Sequence, residues 1–197
     1  MLLALILAIV PAYAVNASQV LDRAASSLAK SRGVTADYTL VSGNSRQAGS
    51  IKSKGKKFVI TAGGVTTWYD GRTQWNLNAA SGEVTVSAPT MQELATGNPY
   101  LLVTSYKTHY SIKPLKSKIP GTYAIQLLPK SAQNPVRQAV IYIRSADYMP
   151  CRLDVTPRKG PATSVMITSI KKGVSLADSD FVFPKSRYPK AEVIDLR

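Results

Sequence analysis

The chain has 197 residues, of which 45% are hydrophobic and 18% are charged. This is the size and composition of one globular domain, and it excludes a disordered chain. The 25 Lys and Arg residues outnumber the 11 Asp and Glu residues, which gives a net charge of +14 and favours anionic partners such as lipid headgroups, nucleic acid or acidic proteins. With one cysteine, Cys151, and one histidine, His109, the chain cannot form an intramolecular disulfide, a CxxC redox pair or a Cys/His zinc site.

Residues 1–14, MLLALILAIVPAYA, have the pattern of a secretory signal peptide, with an apolar run that is followed by Pro11 and an A-x-A cleavage motif. A membrane anchor needs about 20 apolar residues, whereas polar residues follow Ala14 almost at once. No Lys or Arg precedes the apolar run, which departs from the usual signal pattern. We predict cleavage after Ala14 and export of residues 15–197 to the periplasm; the alternative is a buried N-terminal helix.

The first predicted element after the signal is an amphipathic helix of about four turns over residues 18–31. Apolar residues recur there at helical spacing. Asn16 or Ser18 can cap its start and Gly33 can end it.

After Gly33 the apolar period changes to two, which predicts a series of antiparallel strands. The predicted strands are 35–42, 48–53, 57–62, 65–69, 73–78, 83–87, 123–128, 137–144, 151–156, 163–170 and 181–183. Asp70-Gly71 predicts a two-residue type I′ hairpin. That hairpin would place Trp68 and Trp75 on adjoining strands, and we interpret them as a cross-strand packing pair rather than a ligand-stacking pair.

The strand pattern lapses between residues 90 and 111, where Asn98 can cap a helix and Pro99 fits its first position. This predicts one or two short helices in the middle of the sheet. Beyond them, the strand at 137–144 is apolar on both faces, which indicates a curved sheet with helices packed against it. No repeat or linker divides the chain, so we predict that residues 15–197 form a single domain.

Several segments resemble the LolA-like periplasmic lipoprotein carriers, and the likeness runs along nearly all of residues 15–197. They are the N-terminal helix, the GSIK sequence at 49–52 leading to Lys57-Phe58, the YDGRTQW hairpin at 69–75, NPYLL at 98–102 and DFVFP at 180–184. The D-G-[KR]-T-x-W pattern of the hairpin is the most specific of these. The resemblance implies a mainly β (α+β) fold, an incomplete antiparallel β-barrel of about 11 strands with a lid of short α-helices.

The resemblance also implies a function, the transport of lipoproteins from the inner to the outer membrane by a carrier that shields their acyl chains. Its implied partners are acylated lipoproteins, an inner-membrane lipoprotein-releasing transporter, an outer-membrane acceptor and, transiently, the membrane surface. We expect it to act as a monomer. Burying a sixteen-carbon chain is worth roughly 12 kcal/mol at about 0.8 kcal/mol per methylene, so acyl chains do not cross water unaided.

Strand alternation and the resemblance together nominate ten lipid-binding residues, seven in the barrel and three in the lid. These are Phe58, Ile60, Ile141, Ile143, Leu153, Val165 and Ile167, with Tyr100, Leu101 and Val103 from the lid. The alternative is that the same residues fill an ordinary core. Many members of the resembling family tie the lid to the barrel with an Arg near the end of the second strand. This chain has Lys52 and Lys54 there, and Lys cannot form the bidentate fork of Arg.

Other classes of function lack supporting motifs. No G-x-S-x-G sequence surrounds any serine and the glycines fall in turns, so we predict no enzyme activity, no nucleotide, no metal and no other cofactor. Nothing marks two carboxylates as a glycosidase pair. The basic charge and the tyrosines fit nucleic-acid binding, but export opposes it. Two alternatives to a carrier remain, a periplasmic lipid-sensing module and a protein-binding adaptor with a filled core.

Overall fold

The computed structural model describes residues 16–90, 93–94 and 106–197. The predicted signal peptide at 1–14 therefore lies outside the described residues. So do the lid positions Tyr100, Leu101 and Val103.

The described chain begins with helix α1 and continues mostly as β-strands. The helix is α1 (Ala17–Ala29), and the strands are β1 (Val34–Ser42), β2 (Ser45–Lys54), β3 (Lys57–Ala62), β4 (Val65–Tyr69), β5 (Gln74–Asn78), β6 (Glu83–Ser87), β7 (Tyr110–Leu115), β8 (Thr122–Pro129), β9 (Val136–Arg144), β10 (Pro150–Pro157), β11 (Thr163–Lys172) and β12 (Glu192–Asp195). Residues 106–109 are helical. Two 3₁₀ helices, Asp178–Phe181 and Lys185–Arg187, precede β12.

The strands form one sheet in the order β12-β6-β5-β4-β3-β2-β1-β11-β10-β9-β8-β7. All neighbours are antiparallel except β12, which runs parallel to β6. The two end strands do not pair with each other, so the sheet is open. The mainly β fold class and the incomplete barrel are confirmed, with α1 lying across the sheet.

The structure contains two strands that the sequence did not predict and lacks one strand that it did predict. Strands β7 and β12 were not predicted. Residues 181–183 were expected to be a strand, but Phe181 ends a 3₁₀ helix and residues 182–183 have no strand partner. Proline at 184 and the polar sequence before Phe181 favour a turn there over a ladder.

Helix α1 forms where the spacing predicted it. The side-chain oxygen of Asn16 accepts a hydrogen bond from the amide of Gln19 at 3.2 Å, which caps the first turn. The face that carries Val20, Leu21 and Ala24 is buried in the main core. The helix therefore packs its apolar stripe onto the strands of the C-terminal half of the sheet.

The main core lies between α1 and the concave face of strands β7 to β11. Ile125, Ile141 and Leu153 are cross-strand neighbours in one row of this face, and each is at most 6% exposed. Residues of β8, β9 and β10 thus fill this half of the sheet with side chains.

A β-bulge interrupts β11 where it pairs with β1. Asp37 lies opposite Ser169, but the next residue, Tyr38, lies opposite Ile167, so one extra residue, Thr168, is inserted in β11. Because the bulge reverses the alternation, Ile167 and Ile170 both face the concave side of the sheet.

The C-terminal segment covers the opposite, convex face of the N-terminal half of the sheet. Trp68 is 7% exposed, and its ring lies 5.5 Å from that of Phe183 and 6.2 Å from that of Tyr188, both nearly edge-on. Trp68 and Trp75 are direct cross-strand partners, which confirms their interpretation as a packing pair.

The hairpin between β4 and β5 is longer than a two-residue turn. Four residues, Asp70 to Thr73, separate the strands, and of the first two only Gly71 has a positive φ, +105°. The prediction of a type I′ turn was therefore wrong. The Asp70 carboxylate instead accepts hydrogen bonds from the amides of Arg72 and Thr73, both at 2.8 Å, and this stabilises the wider loop.

None of the helices in the described part of the chain is long and apolar enough to span a bilayer.

Candidate functional site

An apolar pocket lies on the concave face of the sheet, beside the C-terminal end of α1. Counted out to the surrounding solvent its volume is about 680 Å³, and the part in which the centre of a water molecule fits is about 80 Å³. The first figure includes open solvent, and the second is well below the volume of small-ligand sites, about 300–1,000 Å³. The second indicates a narrow slot rather than a wide chamber. The lining consists of Leu28, Val34, Ala36, Tyr38, Leu40, Ile51, Ser53, Ile60, Pro150, Val165, Ile167 and Ile170.

Strand β1 forms the floor of this slot with alternate residues. Val34 and Ala36 are 5% and 6% exposed, whereas Tyr38 and Leu40 further along the strand are only half-buried. Leu28 of α1, 4% exposed, lies at the buried end. The slot is therefore closed near Val34 and opens towards Leu40.

The ring of Tyr38 lies across Gly49, its cross-strand partner on β2. A Cβ atom at Gly49 would come within 2.6 Å of the Tyr38 hydroxyl oxygen, so only glycine leaves room for the ring. Burial raises the pKa of the Tyr38 phenol above its ordinary value of 10.0. The phenol is consequently neutral at physiological pH and presents a hydroxyl rather than a charge.

Ser53 is the second polar side chain of the pocket and lies at its closed end. It is 3% exposed, and it stands between Val34 and Phe58 in the ladder. None of the residues that the structure describes forms a hydrogen bond with its hydroxyl. Leaving a buried hydroxyl without a partner costs about 1–3 kcal/mol, so this position requires an explanation.

The predicted barrel residues divide between the pocket and the filled core. Ile60, Val165 and Ile167 line the pocket. Ile141, Ile143 and Leu153 lie in the core under α1, and Phe58 packs on Tyr69 and Leu94 in a smaller cluster next to Ile60. These placements do not test lipid contact, which stays a prediction for all ten nominated residues.

Sequence reasoning missed most of the pocket lining. Val34, Ala36, Tyr38 and Leu40 follow each other with the period of two that marks one face of a strand, so alternation alone could have nominated them. Ile170 carries no such signal, because the bulge at Thr168 moves it to the concave face.

The end of β2 is tied to the chain after β11. The Lys54 ammonium donates to the Leu176 carbonyl at 2.9 Å and to the Asp178 carboxylate at 3.0 Å, and Lys57 lies 2.9 Å from the other Asp178 oxygen. Hydrogen bonds from Lys57 and Lys54 lower the pKa of Asp178. Lys54 therefore fastens β2, immediately beyond Ser53, to the segment that follows β11.

Helix α1 is also held at its polar face. The Tyr106 hydroxyl donates to the Asp22 carboxylate at 2.9 Å, and Lys107 lies 2.8 Å from the same group. The hydrogen bond from Lys107 lowers the pKa of Asp22, and the bond from Tyr106 acts in the same direction against the effect of burial. The next residue of the helix, Arg23, donates to the Tyr148 hydroxyl at 2.6 Å.

The edge of the sheet at β7 and β8 is strongly basic. Between residues 94 and 146 the chain has no Asp or Glu. Lys113, Lys116 and Lys118 form no ion pair with any described residue. The exposed side chains of Leu115 and Leu128, 38% and 39% accessible, lie on the same two strands.

The described residues contain no group of three or more His, Cys, Asp or Glu side chains arranged to hold a metal ion.

Comparison with protein families gives a match over residues 7–160 to the family described as outer membrane lipoprotein carrier protein LolA. The comparison with curated proteins gave no match.

Among solved structures, the chain is similar to an uncharacterised conserved protein from Thermus thermophilus, with a TM-score of 0.62 and 16% identity over 91% of this chain and 98% of that one. A DUF1329 family protein from Desulfovibrio piger has a TM-score of 0.51 and 14% identity, covering 87% and 98% of the two chains. A LolA superfamily protein from Nitrosomonas europaea has a TM-score of 0.48 and 11% identity over 86% and 99%. At these identities the first two similarities show a shared fold.

Proposed function

Because the chain belongs to the family of the outer membrane lipoprotein carrier protein LolA, we propose that it is a periplasmic carrier of acylated lipoproteins. In this proposal it shields their acyl chains in the apolar pocket. It receives them from an inner-membrane lipoprotein-releasing transporter and delivers them to an outer-membrane acceptor. The proposal includes no catalytic step and no cofactor.

The observation that carries the proposal is the apolar slot beside α1. As far as the structure describes the chain, its lining is apolar except for the hydroxyl groups of Tyr38 and Ser53 and contains no charged side chain. A hydrocarbon chain gains roughly 0.8 kcal/mol for each methylene group that leaves water. A slot with this lining stabilises alkyl groups and gives a charged headgroup no partner.

The dimensions of the slot bear on how much cargo it takes. A space of about 80 Å³ for water centres accommodates a segment of one alkyl chain, since a single water-sized position needs about 10–15 Å³. Taking up further chains then requires part of α1 to move away from the sheet.

The basic edge of the sheet supports the proposed transient contact with membranes. Lys113, Lys116 and Lys118 lie around Leu115, which is 38% exposed. Basic residues next to an anionic leaflet contribute roughly 1 kcal/mol each. A contact of this strength can form and dissociate, as transfer between two membranes demands.

A protein-binding adaptor with a filled core is the second candidate function. It is favoured by the C-terminal half of the sheet, where Ile125, Leu127, Ile141 and Ile143 are 0% exposed and belong to the core that also contains the apolar face of α1. In an adaptor, the basic edge would bind an acidic protein instead of a leaflet. The two candidates differ in whether the slot beside Leu28 accepts hydrocarbon.

Titration with a fluorescent long-chain fatty acid tests the carrier proposal. We expect Leu40→Glu at the open end of the slot to weaken binding at least tenfold, because the bound chain would strip water from a carboxylate. The matched control is Thr39→Glu, one residue along β1 on the opposite face. Wild-type protein that fails to bind the probe, or equal affinities for the two variants, would contradict the proposal.

A further inference from the structure

The closed end of the apolar slot contains a hydroxyl, that of Ser53, for which the described part of the chain supplies no hydrogen-bond partner. Ser53 is 3% exposed and points into the slot, and its hydroxyl hydrogen-bonds to none of the residues that the structure describes. Buried polar groups in native proteins nearly always have a partner. A serine in this condition, at the end of an otherwise apolar slot, indicates that the partner belongs to a ligand.

An ordered water is a poor candidate for that partner. A buried water makes about three hydrogen bonds to polar groups, whereas among the described residues Tyr38 is the only other one that brings a polar side chain to the slot. The Tyr38 hydroxyl lies over Gly49, and Gly49 and Ser53 are four positions apart on the same face of β2. At about 3.3 Å per residue the two hydroxyls are roughly 13 Å apart, too far for one water to bridge.

The slot lining also defines the charge of the partner. No Lys, Arg or His of the described ranges contributes a side chain to it, and the ammonium of Lys54, next to Ser53, is bound to Leu176 and Asp178. A carboxylate or phosphate buried at this end would have no countercharge, which is strongly unfavourable. The group that meets Ser53 must therefore be uncharged and must carry an oxygen that forms hydrogen bonds.

We infer that Ser53 recognises an uncharged oxygen, a hydroxyl or a carbonyl, on the part of an apolar ligand that enters the slot most deeply. This inference rests on the proposed function, since it presumes that the slot binds hydrocarbon. The Ser53 hydroxyl places a requirement on the ligand that a purely apolar pocket does not impose. The ligand is selected by the chemistry of its buried end as well as by its length.

The test compares palmitate with 16-hydroxypalmitate, which differ only by a hydroxyl at the end remote from the carboxylate. Both are measured by displacement of a fluorescent fatty acid from wild type, Ser53→Ala and Ser50→Ala. Ser50 lies on β2 three residues earlier and faces the opposite side of the sheet. It is the matched control.

In Ser53→Ala we expect the affinity for 16-hydroxypalmitate to fall at least fivefold relative to that for palmitate, because the ligand hydroxyl loses its partner. In Ser50→Ala the ratio of the two affinities should equal that of wild type. Circular dichroism and thermal unfolding establish that both variants are folded.

The outcomes separate this inference from the proposed function. If both ligands bind wild type and the ratio is the same in Ser53→Ala, the role of Ser53 is refuted and the carrier proposal stands. If neither ligand binds wild type, both are refuted. A ratio that changes equally in Ser50→Ala also refutes the specific role of Ser53.

Discussion

Replacing Ala36 by leucine distinguishes a hollow slot from a filled core by the sign of the stability change. Ala36 is 6% exposed, and its side chain points into the slot between its cross-strand neighbours Ile51 and Ile170. Leucine adds three carbon atoms at this place. In an empty slot these atoms fill space, whereas in a filled core they force neighbours apart.

The slot volume sets the size of the expected effect. Three carbon atoms that leave water contribute up to about 2.4 kcal/mol, at roughly 0.8 kcal/mol each, so Ala36→Leu should leave the free energy of unfolding unchanged or raise it by up to that amount. The same atoms occupy part of the 80 Å³ that water-sized groups can enter. A bound alkyl chain would lose the contacts with the slot that the leucine side chain takes over. At the same free energy this corresponds to a loss in affinity of up to about sixty-fold.

Urea unfolding and fluorescent fatty acid titration measure the two effects. The control is Ala139→Leu, the same substitution at a residue that is 0% exposed in the filled core, which should lower the free energy of unfolding by about 1–3 kcal/mol. If Ala36→Leu destabilises the protein as much as Ala139→Leu does, the slot is not hollow. That result would favour the protein-binding adaptor over the lipoprotein carrier.

Two further predictions concern contacts that shape the site. Gly49→Ala should destabilise the fold by about 1–3 kcal/mol, because the new Cβ collides with the ring of Tyr38. In thermal unfolding the destabilisation should be smaller when Tyr38→Ala is also present. Strictly additive effects of the two substitutions would contradict the predicted collision. Asp178→Asn should lower stability slightly at pH 7. Lys57 and Lys54 depress the pKa of the folded Asp178 carboxyl below 3.8, so its contribution is present above the unfolded pKa and is lost as pH falls through the folded one. The difference between the urea midpoints of variant and wild type should therefore shrink as the pH falls below about 4, and a difference that stays constant from about pH 5 to about pH 2 would refute the assignment.

The local patterns of the sequence predict most of the individual elements. Helix α1 and the majority of strands follow from periodicity, because one face of each is buried in one of the hydrophobic clusters. Strand β12 escaped prediction because its four residues are all exposed and hold their place through parallel pairing with β6. Strand β7 carries Pro114, a residue that weakens a strand pattern and is tolerated at a sheet edge.

The pocket was harder to predict than the strands, because it depends on register between distant segments. Alternation in β11 nominates Val165 and Ile167 but assigns Ile170 to the other face, and only the bulge opposite Asp37 brings it to the slot. Ile141 and Ile143 carry the same pattern as the pocket residues. Their position in the core under α1 results from packing between elements, and the sequence of the strand alone does not reveal it.

The division of the concave face explains how one helix can be both structural and part of a gate. Val20, Leu21 and Ala24 hold the N-terminal turns of α1 in the filled core, and detaching a side chain such as Leu21 costs about 1.5–3 kcal/mol. Leu28 belongs to that core and also lines the slot. Movement that widens the slot is therefore least costly at the last turn of the helix, next to Ser53, while the earlier turns stay fixed. A ligand that widens the slot should accelerate amide hydrogen exchange in that last turn and leave the first turns of α1 unchanged.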